Sequence, residues 1–175
     1  MRAGPALASR WQQIDERLSA RLRVAEKPGT RRRLAALLAH SGDSWYWLAA
    51  LALAWALSGP AWKLFILQLS AGILGTAAVV FAIKLSVRRR RPEGEWGRFY
   101  RRTDPHSFPS GHAARMAMLA AAGFALGHPW FGLALALWAP LVALARVAMG
   151  VHYLSDAVGG LLIGLALGLA LGWLI

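Results

Sequence analysis

Three short clusters of titratable residues each lie beside a long apolar run of the sequence. In chain order they are Lys84 with Arg91-Pro92; Pro109-Ser110-Gly111-His112; and Arg146, His152 and Asp156. Cations bind an oxyanion, imidazoles exchange protons with the groups bonded to it, and a carboxylate orients an imidazole. If the fold brings the clusters together, they make an anion site with acid–base capacity.

The third cluster has the spacing of a helical pair. His152 and Asp156 are four residues apart, so a helix that begins near His152 lets the carboxylate hold one imidazole nitrogen. The other nitrogen is then available as a nucleophile. Taken alone, the pair is equally consistent with two polar residues that satisfy a turn.

The first cluster has a lysine inside an apolar segment, where an ammonium group needs a partner or a cavity. Lys84 precedes Arg91 by two helical turns, and the two project from one side if the helix continues to Pro92. We interpret Arg88, Arg89 and Arg90 as a solvated or lipid-phosphate-binding run.

The second cluster is typical of a helix start. Pro109 and Ser110 favour the first turn, and Gly111 allows a ligand to approach the free backbone N–H groups, where phosphate binds well. Many helices begin in this way, and His112 adds only modestly to the signal.

The composition indicates a membrane protein. Of 175 residues, 57% are hydrophobic, and 20 Lys and Arg stand against 8 Asp and Glu, for a net charge of +12. The basic residues flank apolar runs instead of covering a polar surface, which argues against nucleic-acid binding. The absence of cysteine excludes disulfides and thiolate metal sites. Histidine spacing predicts no metal site, and we expect no cofactor.

Runs without charged residues are long enough to cross a bilayer as helices. We predict an all-α, polytopic transmembrane bundle with spans at about 44–60, 62–86, 110–127, 129–149 and 154–175. We expect residues 44–175 to form the membrane domain and residues 1–43 to form a basic, interfacial segment. Within that segment, Trp11 to Ala25 fits an amphipathic helix on a lipid surface, with Arg17, Arg21 and Arg23 toward anionic headgroups; a solvated helix packed on its own domain is the alternative.

Alternating spans bring all three clusters to one membrane face. The last span also has a stripe of small residues at a spacing of four: Gly160, Gly164, Gly168 and Gly172. Such a stripe is a close-packing surface. We favour packing within the chain, and a homo-oligomer through the same glycines is the alternative.

Together the clusters resemble the signature of the type 2 phosphatidic acid phosphatase superfamily, which includes polyprenyl-diphosphate phosphatases and vanadium haloperoxidases. The resemblance covers about 84–156 by motif. One position departs from the pattern, because Ala145 stands where the family usually has Ser before the arginine of its third motif.

The resemblance implies a metal-independent lipid phosphatase that works through a phosphohistidine on His152. Asp156 orients the nucleophile, and His112 protonates the leaving oxygen. The groups implied to hold the phosphate are Lys84, Arg91, Arg146, Ser110 and Gly111. Phosphatidate, phosphatidylglycerol phosphate and polyprenyl mono- or diphosphates are the substrates that it suggests, with membrane lipids around the protein.

The resemblance also suggests a bacterial inner membrane, with the site on the extracytoplasmic side in many members. The positive-inside rule favours the cytoplasmic side for this chain, because the basic segments share the face of the clusters. Two other functions remain: a non-catalytic module that binds anionic lipid, and a vanadate-dependent haloperoxidase. Loss of activity in His152→Ala separates the enzyme from the module, and vanadate-dependent halide oxidation identifies the haloperoxidase.

Overall fold

The structure, a computed structural model, describes residues 5–94 and 96–174 of the chain. The described residues form eight helices and no strand. They are α1 (Pro5–Leu22), α2 (Thr30–His40), α3 (Ser44–Leu57), α4 (Pro60–Val87), α5 (Gly97–Thr103), α6 (Gly111–Ala125), α7 (Pro129–Ala148) and α8 (Leu154–Trp173). The predicted all-α class is thus what the structure has.

The centre of the bundle is α6, which packs against α4, α7 and α8. Every residue from Ala113 to Gly123 is buried, and most of them are alanine or methionine. Small side chains allow neighbouring helices to approach closely all round α6. The helix therefore supports His112, at its N-terminal end, from a rigid core.

Three helices are long and apolar enough to cross a membrane among the described residues: α4, α7 and α8. Apolar α3 has 14 residues and central α6 has 15. Exposed leucines and other large apolar side chains occur along α3, α4, α7 and α8. These exposed surfaces suit lipid, and the chain is an integral membrane protein.

The glycine stripe of α8 faces α6 of the same chain. A Cβ added at Gly164 would lie 1.9 Å from the carbonyl oxygen of Ala114, and one at Gly168 would lie 2.4 Å from that of Met118. This confirms packing within the chain. The surface that we suggested for a homo-oligomer is therefore occupied, because α6 already fills it.

Helix α1 packs against α7 and α8 through its polar side. Asp15 and Ser19 are 13% and 5% exposed. Apolar side chains of the same helix remain exposed: Trp11, Ile14, Leu18 and Leu22. Arg17 and Arg21 are also exposed. Arg23 follows the end of α1 and is half-buried with its guanidinium beside Gly150, so it is less exposed than Arg17 and Arg21.

The end of α4 differs from the sequence-based expectation. The helix ends at Val87, and Arg88 adopts a left-handed conformation with φ of 52° as its C-cap. Lys84 and Arg91 therefore do not share one continuous helix. The segment after Pro92 also contains the short helix α5, which the sequence did not indicate.

Candidate active site

The three clusters meet at one end of the bundle. There α4 and α7 end and α6 and α8 begin, and a cavity of about 180 Å³ lies among the ends of α4, α6 and α7 and the turn that precedes α8. Six of the eight predicted site residues line it: Lys84, Arg91, Gly111, His112, Arg146 and His152. Three predicted cations and two imidazoles thus share one small space with a fourth cation, Arg115, as an oxyanion site requires.

His152 lies in the turn between α7 and α8 and is 1% exposed. Its Nε2 is 3.2 Å from Nη1 of Arg91, and its Nδ1 is 3.6 Å from Oδ2 of Asp156. Burial lowers the pKa of His152 well below its usual value, and the positive charges of Arg91, Arg146 and Lys84 lower it further. A neutral imidazole with one nitrogen directed at the cations can act as a nucleophile toward a bound anion.

Asp156 lies behind His152, outside the cavity, and is fully buried. Its Oδ2 accepts a hydrogen bond of 2.9 Å from the backbone N–H of Tyr153. Its Oδ1 accepts one of 2.8 Å from Arg89. The carboxylate is therefore fixed on the Nδ1 side of the imidazole by two donors that do not reach the cavity.

Lys84 and Arg91 reach the same cavity although α4 ends between them. Both bind the carboxylate of Asp104, at the C-terminal end of α5. Arg91 also donates to the carbonyl oxygens of Asp104 and Val151, over 2.6 and 2.8 Å. The shared acid, and not helical spacing, aligns these two cations.

Arg146 is 1% exposed near the end of α7. Its Nη1 donates to the hydroxyl of Tyr100 over 3.2 Å, and its guanidinium lies 4.7 Å from the centre of that ring. Its neighbour Ala145 belongs to an apolar cluster with Ala35, Ala39 and Met149. In this chain position 145 thus packs against α2 and does not line the cavity.

At the start of α6, Ser110 is the N-cap residue and accepts a hydrogen bond from the N–H of Ala113 over 3.5 Å. Its own N–H donates to the carbonyl oxygen of Asp156 over 2.9 Å, which connects the second cluster to the third. Ser110 is fully buried and does not line the cavity. Gly111 and His112 do line it, at the positive end of the helix dipole.

Four acidic or basic residues of this site were missed by sequence reasoning: Asp43, Arg89, Asp104 and Arg115, the last of which is buried and lines the cavity. Asp43 binds Nε2 of His112, Arg89 binds Asp156, and Asp104 binds Lys84 and Arg91. A signal for Asp43 existed, because it directly precedes the first apolar run and so falls on the same membrane face as the clusters. Arg89 and Asp104 lie in polar loops, where many charged residues look alike.

The fold and the site define a helical membrane protein with a cationic cavity that contains two histidines. A sequence model of the PAP2 superfamily matches residues 65–175. A decaprenylphosphoryl-5-phosphoribose phosphatase of Mycolicibacterium smegmatis is 35% identical over 145 residues, covering 78% of this chain and 74% of the relative.

Two solved structures share the fold. One is a transmembrane PAP2-type phosphatidylglycerolphosphate phosphatase from Bacillus subtilis, with a TM-score of 0.75, 21% identity, and coverage of 98% of this chain and 87% of that one. The other is LpxE of Aquifex aeolicus, with a TM-score of 0.67, 22% identity, and coverage of 89% and 92%. The chain belongs to the PAP2 superfamily, and it is a membrane phosphatase.

Proposed function

We propose that this chain hydrolyses a phosphomonoester or diphosphate of a membrane lipid through a phosphohistidine at His152. The observation that carries the proposal is the orientation of that ring. Its Nε2 lies 3.2 Å from a guanidinium nitrogen of Arg91 inside the cavity, and its Nδ1 faces buried Asp156. A phosphoryl group bound to the cations is thereby presented to Nε2.

The phosphoryl oxygens would be held by Lys84, Arg91 and Arg146, together with the backbone N–H of Gly111. Phosphoryl transfer depends mainly on position and on positive groups around the equatorial oxygens. Three cations and a helix N-terminus supply these without a metal ion. Ser110 adds to phosphate binding indirectly, because its side chain caps α6 and so holds the Gly111 amide in place.

His112 and Asp156 have separate roles in this mechanism. Asp156 holds Nδ1 of His152 and stabilises the positive charge that develops as Nε2 attacks phosphorus. His112 gives a proton to the leaving oxygen and then takes one from the water that hydrolyses the intermediate. General acid–base help of this kind contributes roughly 10²- to 10⁴-fold to the rate.

The membrane placement is part of the proposal. We infer that α3, α4, α6, α7 and α8 make five crossings of a bacterial inner membrane, with the phosphatase domain at 44–175. Residues 1–43 would form the interfacial segment, since α1 exposes an apolar stripe while Asp15 and Ser19 face the protein. Membrane lipids are then both the surroundings and the source of substrate.

The positive-inside rule favours a cytoplasmic site, because exposed arginines lie on its side of the bundle: Arg88, Arg90 and Arg98. With five crossings, the C-terminus then lies outside the cytoplasm. A reporter enzyme fused after Ile175 tests this orientation. A cytoplasmic signal from the fusion rejects it and favours the extracytoplasmic site.

The activity is tested by phosphate release in detergent. The substrates are phosphatidate, phosphatidylglycerol phosphate, a polyprenyl diphosphate and decaprenylphosphoryl-5-phosphoribose, the compound named for the Mycolicibacterium smegmatis relative. We expect release from at least one, and none by His152→Ala. Brief reaction with a ³²P-labelled substrate should leave acid-labile, base-stable label on the wild type. Turnover by His152→Ala, or label that is stable in acid, contradicts the phosphohistidine mechanism.

A further inference from the structure

The loop between α2 and α3 reaches the acid–base histidine of the site. The loop consists of Ser41, Gly42 and Asp43. Oδ1 of Asp43 binds Nε2 of His112, and its Oδ2 lies 3.0 Å from Nδ1 of His40. Both carboxylate oxygens therefore face imidazoles, one of which lines the active-site cavity.

The usual structural role of an aspartate at this position is to cap a helix. Asp43 is the N-cap residue of α3, yet its side chain makes no capping hydrogen bond to that helix. The carboxylate is instead turned toward α6 and is 14% exposed. Capping of α3 therefore does not explain the orientation of the carboxylate, whereas the contact with His112 does.

The loop is held on the bundle from several sides. Trp47 Nε1 donates to the carbonyl oxygen of Ser41 over 2.9 Å, and Trp138 Nε1 donates to the Ser41 hydroxyl over 2.9 Å. Arg115 of α6 donates to the carbonyl oxygen of Gly42. A Cβ on Gly42 would lie 2.9 Å from Val142 and 3.4 Å from His112, so the backbone packs directly against the site. Asp43 is thus presented at a fixed position.

The charge of Asp43 suits a partner for an imidazole. Burial raises its pKa, but hydrogen bonds and charge from His112 and His40 outweigh burial and lower the pKa to about 2. The carboxylate is therefore ionised throughout the working pH range. An ionised acceptor keeps a proton on the ring nitrogen that it contacts and makes the other nitrogen more basic, as the buried aspartate of a catalytic triad does for its histidine.

We propose that Asp43 is the positioning residue for His112, holding Nε2 so that Nδ1 exchanges the proton with the leaving group and with water. This inference rests on the proposed phosphatase mechanism. Asp43 would serve His112 as Asp156 serves His152, so each histidine of the site has its own carboxylate.

The proton balance of both steps follows. Nε2 of His152 attacks phosphorus, the bond from phosphorus to the ester oxygen breaks, and that oxygen takes the proton from Nδ1 of His112. Neutral His112, with its Nε2–H still held by Asp43, then accepts a proton from the attacking water. The P–N bond breaks, its electron pair returns to His152, and inorganic phosphate leaves.

The leaving alcohol has space beside His112. A second cavity of about 640 Å³ is lined by His112 and Asp43 and by the aromatic residues Trp45, Tyr46, Trp96 and Tyr100. His112 and Tyr100 line both cavities. His112 therefore lies between the cation cavity and a space open to the rest of the substrate, as a general acid must.

The test varies the leaving group. For Asp43→Asn, we expect kcat/KM for a lipid phosphomonoester with an alkyl leaving group to fall about 10- to 100-fold, part of what general acid catalysis supplies. An aryl phosphate such as p-nitrophenyl phosphate leaves as a stable anion and needs little protonation. Its kcat/KM should fall by less than about threefold, because kcat/KM covers the steps up to departure of the leaving group, and this leaving group needs little protonation.

Two controls and a double-mutant cycle complete the test. Glu26→Gln, which removes an exposed carboxylate, and His40→Asn, which removes the other partner of Asp43, should keep the wild-type ratio between the substrates. In a His112→Asn background, Asp43→Asn should cause no further loss. Equal losses on both substrates, additive losses in the cycle, or the same effect from His40→Asn each overturn the proposal. A wild type that releases no phosphate from any lipid rejects the proposed function instead.

Discussion

Arg89 donates a hydrogen bond of 2.8 Å to Oδ1 of Asp156, the carboxylate that faces His152. Its other terminal nitrogen donates over 2.7 Å to Asp15 of α1. The same guanidinium lies 4.1 Å from the centre of the Tyr153 ring. A residue that the sequence analysis assigned to a solvated or lipid-phosphate-binding run thus connects the N-terminal helix to the carboxylate behind the proposed nucleophile.

Arg89→Gln should lower activity without changing the cavity itself. The substitution leaves Asp156 fully buried with one charged donor fewer, so the carboxylate is less firmly held beside His152. We expect kcat to fall about 10- to 100-fold with a small change in KM. Losses of this size are typical when a residue that hydrogen-bonds to a metal-binding histidine is removed, and Arg89 supports His152 in a similar indirect way through Asp156. Steady-state kinetics in detergent measures it.

Arg90→Gln is the matched control, because its side chain is exposed one residue further along. It should retain nearly full activity. Asp15→Asn should give a smaller loss than Arg89→Gln, since Arg89 keeps its contact with Asp156. Equal activity of Arg89→Gln and Arg90→Gln would show that Arg89 has no part in holding Asp156.

The ring of His152 should stay neutral when the pH falls below the usual histidine pKa. Burial and the charges of Arg91, Arg146 and Lys84 lower its pKa, and the carboxylate of Asp156 at 3.6 Å does not outweigh them. The unfolded chain takes up the proton near pH 6.5, before the folded one does. Acidification below pH 6.5 should therefore reduce the stability of the fold, while His152, the proposed nucleophile, remains neutral in the folded protein.

Nuclear magnetic resonance of histidine-labelled protein tests this directly. The His152 signal, assigned by its loss in His152→Gln, should titrate only well below pH 6.5. Over the acidic range, the midpoint of thermal unfolding should fall more for the wild type than for His152→Gln. A His152 signal that titrates at or above 6.5 contradicts the prediction.

Asp104→Asn should strengthen inhibition by inorganic phosphate. The carboxylate of Asp104 binds both Lys84 and Arg91, which are two of the three cations proposed to hold phosphate. An anion in the cavity must compete with it for these groups, and like charges close together repel. We expect the inhibition constant for phosphate to fall several-fold, measured against a soluble aryl phosphate. An unchanged or higher constant would show that Asp104 mainly aligns the cations.

Much of this arrangement follows from the sequence, for identifiable reasons. The length of the apolar runs located α3, α4, α6, α7 and α8, because a helix that crosses lipid must be long and apolar. Successive spans run in opposite directions, and this brought the three clusters to one end of the bundle. Helical periodicity did not explain how Lys84 and Arg91 meet, since the chain turns at Arg88 and a loop acid joins the two cations. Asp43 and Arg89 were missed because their partners are 69 and 67 residues away, and pairing at that distance is set only by packing.

The contact between α6 and α8 makes a final prediction about stability. A Cβ at Gly164 would lie 1.9 Å from the carbonyl oxygen of Ala114, in backbone that cannot move aside without separating the two helices. Gly164→Ala should therefore destabilise the protein by about 1–3 kcal/mol or more, the usual cost of overpacking. Gly75→Ala in α4 is the control, because nothing lies within 4 Å of a Cβ there. Thermal unfolding in detergent should show a lower midpoint for Gly164→Ala only, and equal midpoints would mean that the helices separate at little cost. Since α6 and α8 also carry His112 and Asp156 at one end, the same variant should lose activity in parallel with stability.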